Sequence, residues 1–218
     1  MQTSEQTSRM GRPKTPRLSR KAIGREALAL FEEEKGLSIP RLAERLGVRQ
    51  SSFYKHVTGR QEIIELARGS LVDRVRVPGP GTNEAGPDDL DTAIRRIFES
   101  LRKAYAQVPA LLPELLTQPV SHPAALALYD RFAAIFLNAG VPEQLVLPTL
   151  ETLDSAAIGA SLDAITMESA WSINEEDRPS YPNLSAAQTA AATSQVDRFA
   201  FLADVLSAGL RAAINGGT

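Results

Sequence analysis

Gly47 constrains this chain more than any other residue. It lies in residues 38–60, SIPRLAERLGVRQSSFYKHVTGR, between two short stretches whose apolar positions recur at helical spacing. A glycine there accepts the positive φ with which a helix ends and reverses. Leu42, Ala43 and Leu46 form an apolar face before the turn, and Val48, Phe53 and Val57 supply the anchors after it. Between those anchors Gln50, Ser51, Ser52, Tyr54, Lys55 and His56 are expected to face outward. This is the pattern of a helix-turn-helix, whose second helix fits a DNA major groove.

The surrounding sequence reads as helix throughout, so the expected fold class is all-α. Ser19 is a good N-cap, and Ile23, Ala27, Leu30 and Phe31 carry helix 1 to about Lys35. Helix 2, capped by Ser38 with Pro40 in its first turn, runs to Leu46, and helix 3 spans roughly Gln50 to His56. Thr58-Gly59 opens helix 4, where Ile63, Ile64, Ala67 and Leu71 repeat. Residues 78–88, PGPGTNEAGPD, forbid helix and read as an exposed linker. Helices are then expected from Asp89, near Leu111–Leu116, from Pro123 to Gly140, from Glu143 to about Ser169, and from about Ala186 to Ala213. Pro148 is expected to kink the Glu143 helix or delay its start. Residues 172–184, interrupted by two prolines, are expected to form a loop. Three units follow: a disordered basic arm at 1–18, a helix-turn-helix domain at 19–68, and a helical domain at 69–218.

Charge divides along the same line. Residues 1–68 hold 14 Lys+Arg against 8 Asp+Glu, whereas residues 69–218 hold 10 against 18. A basic front and an acidic back direct only the front at a polyanion. The chain has no cysteine, which excludes disulfides, thiolate metal sites and thiol nucleophiles. Two separated histidines, no phosphate loop and no metal-ligand spacing argue against an enzyme, and no cofactor or metal is expected. No apolar run approaches the roughly 20 residues of a membrane span, and the polar N-terminus is no secretory signal. A cytoplasmic location without a membrane partner is the expectation.

Residues 19–68 resemble the DNA-binding domain of the TetR family of bacterial regulators. The resemblance rests on Ala27-Leu28-x-Leu30-Phe31, Leu42-Ala43-x-x-Leu46-Gly47-Val48 and Phe53-Tyr54-x-His56-Val57-x-x-Arg60 before Ile63-Ile64. It implies that Tyr54, His56 and Arg60 hold phosphates, while Gln50, Ser51 and Lys55 face base edges and Ser52 serves either. Phenol, imidazole and guanidinium all donate to phosphate oxygens, and Gln and Lys pair with adenine and guanine edges. Arg49, where a small capping residue is commoner, adds a candidate phosphate contact. In the arm, Gly11-Arg12-Pro13-Lys14 resembles half of a minor-groove hook, with Arg12 as the inserted residue.

The same resemblance implies a homodimer built on two long helices per subunit, with candidates at 150–168 and 187–213. Their small residues, Ala156-Ala157-x-Gly159-Ala160 and Ala208-Gly209, permit close approach; internal core packing is the competing account. It also implies a small-molecule pocket. Phe98, Leu101, Leu112, Leu115, Phe132, Phe136, Met167 and Trp171 are candidate lining residues, and Tyr105, Gln118, His122, Asp154 and Asp163 candidates for orienting a ligand. The little positive charge behind residue 100 favours a neutral or cationic ligand over a highly anionic one. The function expected is a repressor of a palindromic DNA operator, released by a small-molecule ligand. The alternative is an architectural protein that binds double-stranded DNA without sequence preference and without a ligand.

Overall fold

A computed structural model of the chain describes residues 18–33, 36–76, 89–166 and 171–216. The expected arm with Arg12, the 78–88 linker and Met167 lie outside the described residues. Within them the backbone is helical and contains no strand.

The first four helices are α1 (Arg20–Glu33), α2 (Ile39–Arg45), α3 (Gln50–Phe53) and α4 (Arg60–Leu71). The Oγ of Ser19 accepts the Ala22 N–H at 3.1 Å and starts α1. Ser38 occupies the N-cap of α2 but makes no side-chain cap, and Pro40 sits in the first turn, where amides have no intrahelical partner. The buried face of α1, Ile23, Ala27, Leu28, Leu30 and Phe31, packs on Ile63, Ile64, Ala67 and Leu71 of α4.

A 3-10 turn at Val72–Arg74 follows, then α5 (Leu90–Tyr105), a 3-10 turn at Pro109–Leu111, α6 (Leu112–Leu116), α7 (Pro123–Asn138) and α8 (Glu143–Thr166). Asp89 caps α5 by accepting the Asp91 N–H, and the Nδ1 of His122 caps α7 by accepting the Ala124 N–H at 3.2 Å. Pro148 neither delays nor ends α8, which starts at Glu143 and runs through it. The carbonyl that the proline leaves without an amide belongs to Gln144, which is exposed, so water serves it.

The C-terminal part departs from the expected loop and single long helix. Residues 172–184 hold a 3-10 turn at Glu175–Ser180 and the start of α9 (Pro182–Thr193), with Pro182 at the first helical position, where a missing amide costs nothing. The chain then breaks before α10 (Arg198–Gly216). Ser194 Oγ accepts the Val196 N–H at 3.1 Å, and Asp197 Oδ1 accepts the amides of Phe199 at 2.8 Å and Ala200 at 3.3 Å. These side chains cap the amides that a continuous helix would have used itself. By length and composition α10 is apolar enough to cross a membrane, although Arg198, Asp204 and Arg211 interrupt its apolar residues; among its residues only Ala203 and Ser207 are buried. Of the small residues expected at an interface, Ala157 and Ala160 are buried within the chain, whereas Gly159, Ala208 and Gly209 are exposed.

One apolar core runs from Ile23 to Ala203 through α1, α4, α5, α7 and α8. It fixes the short α2–α3 unit to the remainder of the molecule.

Candidate nucleic-acid interface

The turn between α2 and α3 closes as the sequence demands. Gly47 has φ of 65°, its N–H donates to Glu44 O at 2.9 Å, and the Val48 N–H donates to Ala43 O at 3.0 Å. That pair of bonds is a Schellman motif, which satisfies the carbonyls that end a helix. Leu42, Ala43, Phe53 and Val57 are buried, and full burial of a Phe contributes about 1.5–3 kcal/mol. These anchors fix the rotation of α3.

The α-helical part of α3 is shorter than expected and stops at Phe53, with Tyr54, Lys55 and His56 in a tight turn. The His56 N–H reaches Phe53 O, three residues back, at 2.9 Å, the tightening common in a last helical turn. Arg49, Gln50, Ser51, Tyr54, Lys55 and His56 are all exposed, and Ser52 shares the same short helix. Tyr54 is 48% exposed and stands edge-on to Phe53, with ring centroids 6.0 Å apart. Among the described residues, none of the side chains of Arg49, Gln50, Lys55 and His56 has a hydrogen-bond or ion-pair partner. A group of exposed donors left without protein partners on one short element is chemically suited to a phosphate backbone and base edges.

Arg60 is placed differently from the other candidates. Its Nη1 donates to Leu37 O at 3.0 Å, and its Nη2 pairs with Glu114 of α6. A phosphate at this position therefore competes with Glu114 for the guanidinium. Nearby, Glu62 accepts from the Thr58 N–H at 2.5 Å and from its hydroxyl at 2.8 Å, and it pairs with Arg20. The Thr58 amide is the main reason that the Glu62 carboxyl lies below its usual range.

Behind the interface, α4 is tied to the segment joining α6 and α7. Arg68, although buried, pairs with Glu65 at 2.6 Å and donates to Leu115 O at 3.3 Å and Gln118 O at 3.1 Å. The other Glu65 oxygen accepts from the Ser121 N–H, the Ser121 hydroxyl and the His122 N–H at 2.9–3.0 Å. Burial raises the Glu65 carboxyl, but these donors and Arg68 together hold it below the usual range. The His122 ring lies against Gly69, where an added Cβ would meet it at 2.2 Å. Gln118 and His122 thus line a groove of about 440 Å³ with Arg20, Gln61 and Glu62, at the junction with α4. Both were expected among the residues that orient a ligand, and this groove is where the structure places them. No sequence pattern marked Glu65 or Arg68, because their partners lie about 50 residues away.

In the helical domain Phe98, Leu101, Leu112, Leu115, Phe132 and Phe136 are all buried. Tyr105 and Asp154 come together as candidates should, joined by Tyr129, which carried no polar expectation. Both phenols donate to the Oδ1 of Asp154, at 2.5 Å and 2.6 Å, and they lie 3.3 Å from each other. Asp163 and Trp171 are both exposed, Trp171 by 63%. A second hollow of about 280 Å³, lined by Ile94, Leu153, Leu206 and Leu210, lies between α5, α8 and α10.

No protein-family profile matches the chain. An HTH-type transcriptional regulator of Saccharopolyspora erythraea is 28% identical over 163 residues, which are 74% of this chain and 65% of that protein. The HTH-type transcriptional repressor DrrR1 of Streptomyces coeruleorubidus is 23% identical over 164 residues, 74% of this chain and 59% of its own. The match spans less than two thirds of either relative. Among solved structures, apo ActR from Streptomyces coelicolor superposes with a TM-score of 0.74 at 21% identity, covering 92% of this chain and 98% of its own. The complex of ActR, a TetR family protein, with actinorhodin gives 0.74 at 20% identity, covering 93% and 100%. At these identities the likeness establishes the fold.

Proposed function

We propose that this chain, whose fold is that of the TetR-family regulators, is a homodimeric transcriptional repressor that leaves its operator when a small molecule occupies the helical domain. The observation that carries the reading is the set of exposed, partnerless donors on and beside α3, held in fixed rotation by Gly47, Phe53 and Val57. In this reading Gln50, Ser51 and Lys55 meet base edges, and Arg49, Tyr54 and His56 meet phosphates, with Ser52 serving either and Arg12 entering a minor groove. Arg60 reaches a phosphate once it is released from Glu114. Residues 19–68 form the reading head and 69–218 the ligand-binding and dimerisation domain, in a cytoplasmic protein with no catalytic role.

A dimer supports the reading because one short helix reads few bases, and two copies about 34–36 Å apart read a palindrome. Ligand control would then act through the ties of α4 to the α6–α7 segment, by favouring another spacing of the two heads. Relatives named as a regulator and a repressor agree with this, as does a fold neighbour in complex with actinorhodin.

Selection of bound DNA from a random pool tests the proposal, and a palindromic site is the expected result. Gln50→Ala and Lys55→Ala should each weaken that site by about 1–3 kcal/mol and leave random DNA little changed, whereas Arg49→Ala should weaken all duplexes alike. An architectural protein would return no consensus and hold specific and random duplexes equally at every salt concentration.

A further inference from the structure

We infer that Asp154, clasped by Tyr105 and Tyr129, is the anchor for a protonated amine carried on an aromatic ligand. The inference rests on the reading of the helical domain as ligand-binding.

The three residues come from α5, α7 and α8, and both phenols spend their protons on one oxygen of Asp154. The remaining oxygen, Oδ2, has no donor among the described residues, and no Lys or Arg pairs with the carboxylate. Burial is the largest reason that both phenols are held well above their ordinary range, so they stay protonated as neutral donors to Asp154. Arg68, whose charge reaches Tyr129, is bonded to Glu65 and to the carbonyls of Leu115 and Gln118, so one oxygen of Asp154 is left open to a cation.

Access and surroundings fit the same chemistry. Tyr105 is buried, but Tyr129 and Asp154 are only partly so. The Tyr129 ring stands edge-on to Phe132, centroids 6.0 Å apart, within the core that also holds Phe98 and Phe136. An N–H⁺ donor would pair with Oδ2 while its aromatic body packed against the partly exposed Tyr129 ring. A carboxylate or phosphate on the ligand would instead meet an uncompensated negative charge. Had the cluster only a structural role, stitching three helices, it would not discriminate ligands by charge.

The test is fluorescence titration of the full chain with 9-aminoacridine and with acridine-9-carboxylate, which share one ring system. We expect saturable binding of the amine, at least about tenfold tighter than the acid. Asp154→Asn, which keeps an oxygen for both phenols, should abolish that preference, and Tyr129→Phe should reduce it while thermal melting shows a folded chain. Equal affinities in the wild-type protein, or no saturation by the amine at millimolar concentration, overturn the inference whether or not a variant folds. So does a preference that survives Asp154→Asn in a folded protein. DNA selection without ligand separates the two ideas: a palindrome with no amine preference removes only the anchor, and an amine preference without a DNA site removes only the regulator.

Discussion

Gly69 is a residue at which two opposing effects can be weighed. In a helix interior alanine is favoured over glycine by about 1 kcal/mol. Here an added Cβ would fall 2.2 Å from the His122 ring, which is itself fixed by accepting the Ala124 N–H. Overpacking of this kind costs about 1–3 kcal/mol, so it should outweigh the helical gain. Gly69→Ala should therefore destabilise the protein in urea denaturation. In a His122→Ala background the same change should stabilise it by up to about 1 kcal/mol. A destabilisation that persisted without the imidazole would place the strain elsewhere on α4. The prediction concerns the contact that joins the reading head to the helical domain, and operator binding by the two variants would report whether that contact matters for function.

At the scale of elements, α10 is held by polar ties to α5 as well as by Phe199, Leu202, Leu206 and Leu210, which pack on the core. Asp91 accepts from the Ser207 hydroxyl and from Arg211 Nε at 2.9 Å, and Arg211 also reaches Asp89 at 2.7 Å. The Arg102 guanidinium lies 4.4 Å from the Phe199 ring centre. Arg211, then Ser207, hold the Asp91 carboxyl down at about 2, below its ordinary value of 3.8. The folded pKa is the lower one, so this tie stabilises docking above about 3.8 and is lost as the pH falls through about 2. Amide exchange of α10 should accelerate across that window in the wild-type protein, and Asp91→Asn should remove that part of the pH dependence. An identical profile in both would show that Asp91 does not hold α10. Such ties also explain what the sequence concealed. Gly47, Phe53 and Val57 were legible because a turn and its anchors lie within eleven residues and obey one period. The break at Ser194–Asp197 was missed because the Ala-rich sequence around it has helical propensity on both sides. Tyr129 beside Asp154, or Arg60 beside Glu114, depends on how distant helices pack, and one-dimensional periodicity carries no such information. Trp171, expected to line the pocket, is instead 63% exposed.

For the whole molecule the unresolved demand is cover for an apolar face. Phe201 is 60% exposed and Val205 50% exposed on α10, and Leu147 is 63% exposed on α8. Phe201 and Val205 lie four residues apart on one face of α10, and exposed apolar surface of this kind marks an interaction site more often than a face left to water. In the proposed homodimer a second copy would supply the cover about a two-fold axis, which would also place two α3 units on one duplex. The charge division suits that arrangement: the basic 1–68 segment approaches the polyanion, and the acidic remainder stays clear of it. Val205→Glu buries a charge in the proposed interface but stands exposed in a lone chain, so folding should survive while association fails. Sedimentation equilibrium should then report a monomer with unchanged helicity. Linking two heads raises affinity by about 10²–10⁴-fold over one, and the monomer should lose a comparable factor on a palindrome but little on a single half-site. A Val205→Glu protein that remained dimeric would move the interface off this face of α10. A monomer that bound the palindrome undiminished would show that one α3 suffices, and paired reading would have to be abandoned.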